Sequence, residues 1–517
     1  MSVPLTPGKI TTFDPHRAQI PKEELLVKRT SQGSRLAFAL VLLAAMLALL
    51  ATACGGDDEE AATPTVQETT AETTAETETT DGGSDSGPIK VAIMTDCEGA
   101  FAFGYELDIG GAQAAFYEHA GAEPKDKAKP SAGMTGGEVA GRDIEIVGYG
   151  CGDDTAATAV RETRRLMEQL DADVMIGPLS GDEAVAVANY AKDNPDKLFV
   201  IGTAGSQDPT LQLATDNVFR YHGDGAQWNA GLGEIVYKRL GWRKAAIIMD
   251  DYSFGWTSGA GIIADFCGIG GEITQRVFPP LNTTDYASYV QQLPPPDQVD
   301  GYFWVVGGTG TGAALQAFEQ QYGPLDPKKH SGNLFFAFLG NFEAVAPRLV
   351  GAYVGGFGTA PGLTTEAASA YVELMKGYHP ELPAADGFVY NYYMAAWAFI
   401  QGLEAAEGDL ERLQESMPTE INAPFQVSDD GVLRLDDNRQ AIQDQYPLQI
   451  VKGEDGNPTV QVIGMVPNVD QAFGGLFTSD SPPPGRNQPP CEKRDLPWQG
   501  QIQVVENGEV TDEMIEE

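Results

Sequence analysis

The stretch "ADVMIGPLSGDEAVAVANYAKDNPDKLFVIGTAGS" (172–206) contains two short apolar runs with a helical pattern between them. Each run, "ADVMIGPLS" (172–180) and "KLFVIGTAGS" (197–206), ends in small and hydroxyl residues. An apolar run of this length between turn residues is typical of a buried strand. Strands that alternate with helices predict a parallel sheet with helices on both faces.

The same alternation extends in both directions along the chain. Further predicted strands are "IKVAIM" (89–94), "RDIEIVGYG" (142–150), "KAAIIMDDYSFG" (244–255), "DGYFWVVGGTGTG" (300–312), "NLFFAFLGN" (333–341) and "GAYVGGFGTAP" (351–361). The strands after residue 243 form a second series. Two series predict two doubly wound lobes, with a ligand at the carboxyl ends of the strands.

Helices and a later β region complete the globular part. Asp153, Asp154 and Thr155 offer N-cap oxygens to a helix over 156–170, and the aromatic stretch 386–406 is predicted to be a core helix. After it, 423–442 and 446–453 are predicted as hairpin strands, with a turn at Asp430-Gly431. The Pro-rich tail, 467–517, is expected to lie over the surface.

The N-terminal region has the composition of a targeting segment followed by a tether. An uncharged apolar run, Leu36–Ala53, follows basic residues, which predicts a signal peptide over 1–53. Residues Ala51–Ala53 before Cys54 resemble a bacterial lipobox, with an uncleaved anchor as the alternative, and a start near Val27 would shorten the leader. Residues 54–87 carry the cysteine and a stretch of Thr, Glu, Asp, Gly and Ser that predicts a disordered, extended tether.

Charge and residue counts exclude several classes of function. The formal net charge is −41, from 74 acidic and 33 basic residues, which argues against nucleic acid binding. The acidic balance indicates the solvated surface of an exported protein. None of the 5 histidines has a partner at zinc-like spacing, so no metal and no cofactor are expected. With Cys54 set aside, four cysteines remain, which suggests two disulfides in an exported chain.

The order of elements from Ile89 to about Val466 resembles the branched-chain amino acid (Leu/Ile/Val) binding proteins of ABC importers, which have the type I periplasmic binding protein fold. The matching stretches are 89–116, 148–166, 173–191, 199–211, 218–228 and 245–256. The resemblance implies two lobes joined by three crossover strands that close on a small ligand. It assigns 88–222 plus 363–422 to lobe 1, and 223–362 plus 423–466 to lobe 2.

The resemblance also implies a set of ligand-binding residues. Strand-end loops that open into helices supply donors for a carboxylate, and the matching residues are Ser180, Gly181, Ala204, Gly205 and Ser206. Aromatic residues expected to shape the pocket are Phe101, Phe103, Trp228, Tyr252 and Phe254, with core packing as the alternative for each. Thr309 occupies a further contact position.

One loop departs from the family pattern. Amino acid binders place a carboxylate of lobe 2 against the ammonium of the ligand, near the loop that here contains Leu339, Gly340 and Asn341. We expect either that Asp182, Glu183 or Asp224 replaces this charge, or that the ligand has no ammonium group, as in the relatives that bind amides and urea. The ligand predicted from the sequence is therefore a branched-chain amino acid or a small polar solute of this kind.

The resemblance implies the disulfide pairing as well. Cys151 matches a disulfide cysteine of the family, whose usual partner position lies here near Ser180, so Cys97 is the expected substitute. Cys267 and Cys491 then remain as the second pair.

Alternative functions rest on weaker patterns. Gly308-x-Gly310-x-x-Ala313 matches part of a dinucleotide-binding turn, which would suit an exported oxidoreductase. No nucleophile elbow of a hydrolase occurs. A cell-surface sensing or adhesion protein that binds a ligand without transport stays open. The preferred interpretation is a non-catalytic, monomeric lipoprotein on the outer face of the cell membrane that delivers a small solute to ABC permease subunits.

Lipidation of Cys54 is directly testable. Replacing it in Cys54→Ala removes the thiol that receives the lipid, so we expect unlipidated released protein or an uncleaved precursor. Metabolic labelling with a fatty acid measures this, and labelling equal to that of the natural sequence would contradict the lipid anchor.

Overall fold

A computed structural model describes residues 87–308 and 310–516 of the chain. The predicted signal peptide, Cys54 and all of the tether except Gly87 lie outside these residues, as does Thr309. Within the described ranges, no helix combines the length and the apolar character that a membrane crossing requires.

The strands and helices follow the alternation that the sequence predicts. In chain order the strands are β1 (Ile89–Asp96), β2 (Glu123–Pro124), β3 (Met134–Thr135), β4 (Glu138–Val139), β5 (Arg142–Gly152), β6 (Val174–Ile176), β7 (Leu198–Val200), β8 (Val218–Phe219), β9 (Lys244–Met249), β10 (Glu272–Val277), β11 (Gly301–Val305), β12 (His330–Gly332), β13 (Tyr353–Val354), β14 (Glu420–Asn422), β15 (Val432–Leu435), β16 (Ala441–Gln445), β17 (Leu448–Lys452), β18 (Pro458–Val462), β19 (Gly464–Val469), β20 (Gln503–Glu506) and β21 (Glu509–Met514). The helices are α1 (Tyr105–Ala120), α2 (Ala156–Arg164), α3 (Gly181–Lys192), α4 (Leu232–Arg239), α5 (Ser253–Gly268), α6 (Ala287–Val290), α7 (Gly310–Tyr322), α8 (Glu366–Tyr378), α9 (Gly387–Ala405) and α10 (Leu410–Ser416).

Lobe 1 is built on a sheet with the strand order β4-β5-β1-β6-β7-β8. All neighbours except β4 and β5 are parallel. Successive side chains of a strand point to opposite faces, and both faces of β1 are apolar. Val91 and Ile93 belong to the core under α1 and α9, whereas Ala92 and Met94 belong to the core under α2 and α3. Burial on both faces explains why this strand is continuously apolar.

Lobe 2 is built on a sheet with the order β10-β9-β11-β12-β13-β17-β18. Its first five strands are parallel, and the β17–β18 hairpin adds an antiparallel edge. In β11, Tyr302 and Trp304 lie in one core and Phe303 and Val305 in the other. The predicted class of two α/β lobes with parallel sheets is confirmed.

A third, antiparallel sheet with the order β14-β15-β16-β19-β20-β21 was not predicted. The Asp430-Gly431 turn lies in the connection from β14 to β15, where both residues have positive φ angles of 59° and 83°. The predicted pairing of 423–442 with 446–453 is wrong, because β17 pairs instead with β13 and β18 of lobe 2. Only part of 423–466 thus lies in the lobe 2 sheet, and the lobe boundaries stay predictions.

Two further elements differ from the sequence prediction. The expected strand 333–341 consists of two 3-10 turns, because the Asn333 side chain accepts a hydrogen bond from the Phe335 amide directly after β12. The expected helix 156–170 is α-helical to Arg164 and continues as a π-helical turn over Arg165–Gln169.

The C-terminal tail is packed into the fold and does not simply cover its surface. Strands β20 and β21 extend the third sheet, and Trp498 is 2 % exposed in the core of lobe 2. Its indole donates a hydrogen bond to the Asp265 carboxylate of α5. The Cys267–Cys491 disulfide joins the same helix to the tail, with the Cα atoms 5.2 Å apart, and Cys97–Cys151 spans 5.0 Å. This is the pairing that the resemblance implies.

The two disulfides should differ in their effect on stability. Cys267–Cys491 closes 224 residues of sequence and Cys97–Cys151 closes 54, and the chain-entropy model assigns the larger loop about 1 kcal/mol more stabilisation. We expect the double serine variant of Cys267 and Cys491 to lose more free energy of unfolding than the matched variant of Cys97 and Cys151. Urea denaturation compares them, and an equal or reversed order would contradict the prediction.

Candidate functional site

The first turns of helices α3 and α5 meet at the carboxyl ends of the two parallel sheets. The Ser253 amide at the start of α5 donates a hydrogen bond of 3.1 Å to the Asp182 carboxylate in α3. A Cβ on Gly181 would lie 2.6 Å from the Ser253 hydroxyl and 2.9 Å from the Phe254 nitrogen. Glycine at 181 therefore permits the close approach of the two helices.

A cavity, here called the aromatic pocket, lies beside this contact and has a volume of about 20 Å³. Both lobes contribute to its lining, which is predominantly aromatic. The lining residues are Phe101, Leu179, Ser180, Gly181, Thr203, Gly205, Trp228, Tyr252, Phe254, Leu334, Phe335, Phe357 and Phe388.

The walls of the aromatic pocket are held by ring-to-ring packing. Phe101 stacks on Phe335 with ring centroids 5.6 Å apart, and the Trp228 ring meets the edge of Phe357 at 4.8 Å. A Cβ on Gly205 would lie 2.6 Å from ring atoms of both Trp228 and Phe254. The absence of a side chain at 205 therefore lets these two rings close the wall between the lobes.

Several polar groups of the pocket have no hydrogen-bond partner among the described residues. They include the buried hydroxyls of Ser180, Thr203 and Tyr252. A buried hydroxyl without a partner loses the free energy of its hydrogen bonds to water. Ser180 also directly precedes α3, whose first N–H groups have no partner within the helix. The pocket thus offers donors on a mainly apolar surface.

No Lys, Arg, His, Asp or Glu belongs to the lining of the aromatic pocket. Asp182 is adjacent, but one of its carboxylate oxygens already accepts from the Ser253 amide. A ligand ammonium would have no carboxylate partner on these walls, whereas an anion would find hydroxyls and the start of a helix.

The structure brings together most of the residues that the sequence predicts for the site. Those that line the aromatic pocket are Ser180, Gly181, Gly205, Phe101, Trp228, Tyr252 and Phe254. Those that do not are Asp182, Ala204, Ser206, Asp224 and Phe103.

Ala204 and Ser206 support the pocket loops from behind. The Ser206 hydroxyl donates to the Gly181 carbonyl at 3.0 Å. The fully buried Arg220 donates to the carbonyls of Ala204 and Ser206 at 3.1 and 2.5 Å. These bonds fix the backbone after strand β7, and a ligand contact of Ala204 or Ser206 stays a prediction.

Asp224 and Phe103 are likewise placed away from the lining. The Asp224 carboxylate accepts from the amides of Ala226 and Gln227 at 2.9 Å, which caps the turn that carries Trp228. This carboxylate is therefore engaged within its own turn, and its role opposite a ligand ammonium stays a prediction. Phe103 is 37 % exposed and packs its ring on Phe388 with a centroid distance of 5.3 Å.

Six lining residues were missed by the sequence analysis. Leu179 and Thr203 flank residues that were predicted. Leu334, Phe335, Phe357 and Phe388 come from segments whose apolar character was attributed to strands and a core helix. The only signal in the sequence was a surplus of Phe between 335 and 388, which packing in the core explains equally well.

The glycine-rich turn after β11 has a packing role. A Cβ on Gly307 would lie 3.0 Å from the Phe335 ring and 3.1 Å from Phe101, and one on Gly308 would lie 2.6 Å from the Ala100 carbonyl. Close contact with the first loop of lobe 1 thus accounts for two glycines of the turn that resembles a dinucleotide-binding motif.

A buried group of carboxyls, Asp96, Asp154 and Glu183, lies at the ends of β1 and β5 and in the first turn of α3. Glu183 accepts from the amides of Asp153 and Asp154 at 3.1 Å. Burial raises the pKa of Glu183 to about 7 and that of Asp154 to about 6, while burial and the neighbouring Glu183 raise the pKa of Asp96. Among the described residues, no group of His, Cys, Asp and Glu is arranged to hold a metal ion.

Comparison with known families gives one clear match. Residues 88–455 match the family model described as periplasmic binding protein. A search of curated proteins gives no match in sequence.

Solved structures with the same fold include three that illustrate its range. An ABC transporter substrate-binding protein from Sphaerobacter thermophilus has 20 % identity and a TM-score of 0.60, covering 74 % of this chain and 99 % of its own. The solute-binding protein of an ABC transporter from R. palustris, in complex with benzoate, has 20 % identity and a TM-score of 0.59, with coverages of 75 % and 99 %. A leucine-binding protein from Thermotoga maritima has 18 % identity and a TM-score of 0.58, with coverages of 73 % and 98 %.

The buried carboxyls predict a pH dependence of stability. Their pKa values in the folded state exceed the values of about 4 in an unfolded chain, so the folded state binds more protons. Their contribution to the free energy of unfolding is complete below pH 4 and is lost as the pH rises through 6 to 7. In Glu183→Gln the amide oxygen can still accept from the two backbone amides, but the side chain no longer titrates. As the pH rises from 4 to 7, the free energy of unfolding of this variant should fall less than that of the natural sequence.

The matched control for this prediction is Glu145→Gln, at an exposed position of β5. Urea denaturation at a series of pH values gives the slope for each protein. We expect the control to keep the slope of the natural sequence, and identical slopes for all three proteins would contradict the assignment.

Proposed function

We propose that this chain, which belongs to the periplasmic binding protein family, is the solute-binding component of an ABC importer and binds a small aromatic carboxylate. The observation that carries the ligand class is the aromatic pocket, whose walls are rings and whose polar groups are hydroxyls beside a helix N-terminus. The protein from R. palustris in complex with benzoate, which has the same fold, supports this class.

The carboxylate of the ligand is proposed to lie at the start of α3. The Ser180 hydroxyl is buried without a partner there, and the helix N-terminus carries partial positive charge. A carboxylate accepts hydrogen bonds from both, which satisfies the hydroxyl and the first amides together. The same group would gain nothing at the purely apolar side of the pocket, around Leu334 and Phe357.

The ring of the ligand is proposed to lie between the walls formed by Phe101, Phe254 and Phe335. Phe254 and Phe335 now contact each other edge to face, with centroids 5.9 Å apart, and a ligand ring that separates them would replace this contact with a face and an edge of its own. Aromatic pairs prefer these offset and edge-to-face geometries. The pocket has a volume of about 20 Å³, room for about one water molecule, so a ring enters only when the lobes open and these aromatic walls move apart.

The branched-chain amino acid expected from the sequence fits this pocket less well. Its side chain suits the apolar walls, but its ammonium would be buried without a carboxylate partner, which is costly. A neutral amide or urea-like solute avoids that cost but leaves the aromatic walls without an apolar partner. Both classes serve as comparison ligands in the test below.

The wider biological role extends the same proposal. We propose that the protein is a non-catalytic monomer, held on the outer face of the cell membrane by a lipid on Cys54. In this role it delivers its ligand to ABC permease subunits after the lobes close. The acidic stretch after Cys54 would act as the tether between the lipid and lobe 1.

Binding is predicted to depend on the Ser180 hydroxyl. Calorimetric titration with benzoate should give saturable binding, and Ser180→Ala should weaken it by about 1–3 kcal/mol, the scale for losing a hydrogen bond to a charged group. Ser369→Ala, at an exposed position of α8, is the matched control and should bind like the natural sequence.

The same titration is carried out with leucine, valine, acetamide and urea. Binding of leucine but not of benzoate would overturn the proposed ligand class and would support a branched-chain amino acid as the ligand. Equal affinity in Ser180→Ala would move the carboxylate site elsewhere, and chemical turnover of a ligand would overturn the receptor function.

A further inference from the structure

A second cavity, here called the apolar groove, adjoins the aromatic pocket. It has a volume of about 250 Å³, against about 20 Å³ in the aromatic pocket. Its lining is mainly alanine, proline, leucine and phenylalanine, from both lobes. The residues are Leu334, Ala337, Phe338, Gly355, Phe357, Thr359, Pro361, Pro383, Ala384, Ala385, Asp386, Gly387, Leu448 and Val460.

The two cavities adjoin at Leu334 and Phe357, which line both. The Phe357 ring packs directly against Gly387, the first residue of α9, since a Cβ at this position would lie 2.3 Å from the ring. The Phe357 ring is also nearly perpendicular to the rings of Trp228 and Phe388, with centroid distances of 4.8 and 5.0 Å. Phe357 and Leu334 therefore form a common wall between the two cavities.

The polar groups of the apolar groove are few. Asp386 is its only ionisable residue, and its carboxylate accepts from the Phe388 amide at 2.8 Å as the N-cap of α9. A second anionic ligand group has no cationic partner among these lining residues, and the rest of the lining is mainly apolar, so the groove suits a hydrocarbon chain. Water in such a groove would have few polar partners, and displacing it with an apolar group is favourable.

We infer that the apolar groove receives the far end of the ligand, so that the solute is an aromatic carboxylate extended by an apolar chain. This inference rests on the proposed function, because the carboxylate and ring must first occupy the aromatic pocket. The chain then passes Leu334 and Phe357 and lies against Ala337, Ala384 and Leu448. A molecule of benzoate size would leave the larger of the two cavities without a ligand group.

The test is a series of 4-alkylbenzoates titrated into the full chain, from benzoate to 4-butylbenzoate. Burying a methylene group contributes about 0.8 kcal/mol, so affinity should rise about fourfold for each added carbon. A pocket that ends at Phe357 would give the opposite trend, because each carbon would have to displace packed rings.

A substitution that fills the groove distinguishes binding of the ligand's alkyl chain in the groove from a general increase of affinity with ligand hydrophobicity. Ala337→Phe adds a ring at a half-buried position of the groove and should abolish the rise with chain length while benzoate affinity stays unchanged. The same substitution at the exposed Ala370 of α8 is the matched control and should keep the rise.

The outcomes distinguish the two proposals. If benzoate binds and longer chains bind no better, the groove inference is overturned and the proposed function stands. A rise that persists in Ala337→Phe places the chain elsewhere and also overturns the inference. If no member of the series binds, the proposed function fails and the inference fails with it.

Discussion

The contact between the first turns of α3 and α5 is the constraint on which the site depends. The Ser253 amide donates to the Asp182 carboxylate across the lobes, and Gly181 leaves room for Phe254 to approach. This approach places Phe254 against Trp228 and over Gly205, which closes one wall of the aromatic pocket. Any side chain at 181 or 205 would hold the lobes apart at the place where the ligand is proposed to bind.

The electrostatics of the site contrast with those of the whole chain. A net charge of −41 disfavours the approach of an anion, yet none of the pocket-lining residues is charged. Salt screens charges beyond about 8–10 Å, so local donors dominate inside the pocket. The buried carboxyls nearby have pKa values raised by burial, which reduces their negative charge near neutral pH. An anion can therefore bind in an acidic protein because its immediate surroundings are neutral.

The sequence predicted the two parallel sheets well because these sheets follow from local patterns of apolar and turn residues. Apolar strands that end in Gly, Ser and Thr recur between helical segments, and both sheets form as this alternation implies. The third sheet was missed because its strands, all within 420–514, are short and because 467–517 was interpreted as a surface tail without strands. The 3-10 turns at 334–342 were mistaken for a strand because the apolar run alone does not reveal the Asn333 side-chain bond.

Part of the pocket lining was predicted from strand ends, and Phe101, Trp228, Tyr252 and Phe254 were predicted from the family resemblance. Ser180, Gly181 and Gly205 occur directly after predicted strands and do line the pocket. Asp224 does not line the pocket, and the sequence could not show this, because a carboxylate that caps its own turn looks the same in sequence as one that faces a ligand. Phe357 and Phe388 were missed because only the fold brings the segment after β13 and the start of α9 to the pocket.

The most direct measurement is the position of a bound aromatic carboxylate that carries an anomalous scatterer. Crystals of the protein with 4-bromobenzoate would give a bromine peak and density for the carboxylate. The account predicts the carboxylate within hydrogen-bond distance of the Ser180 hydroxyl and the bromine next to Leu334 and Phe357. A bromine peak outside the aromatic pocket, or a carboxylate turned away from α3, would contradict it.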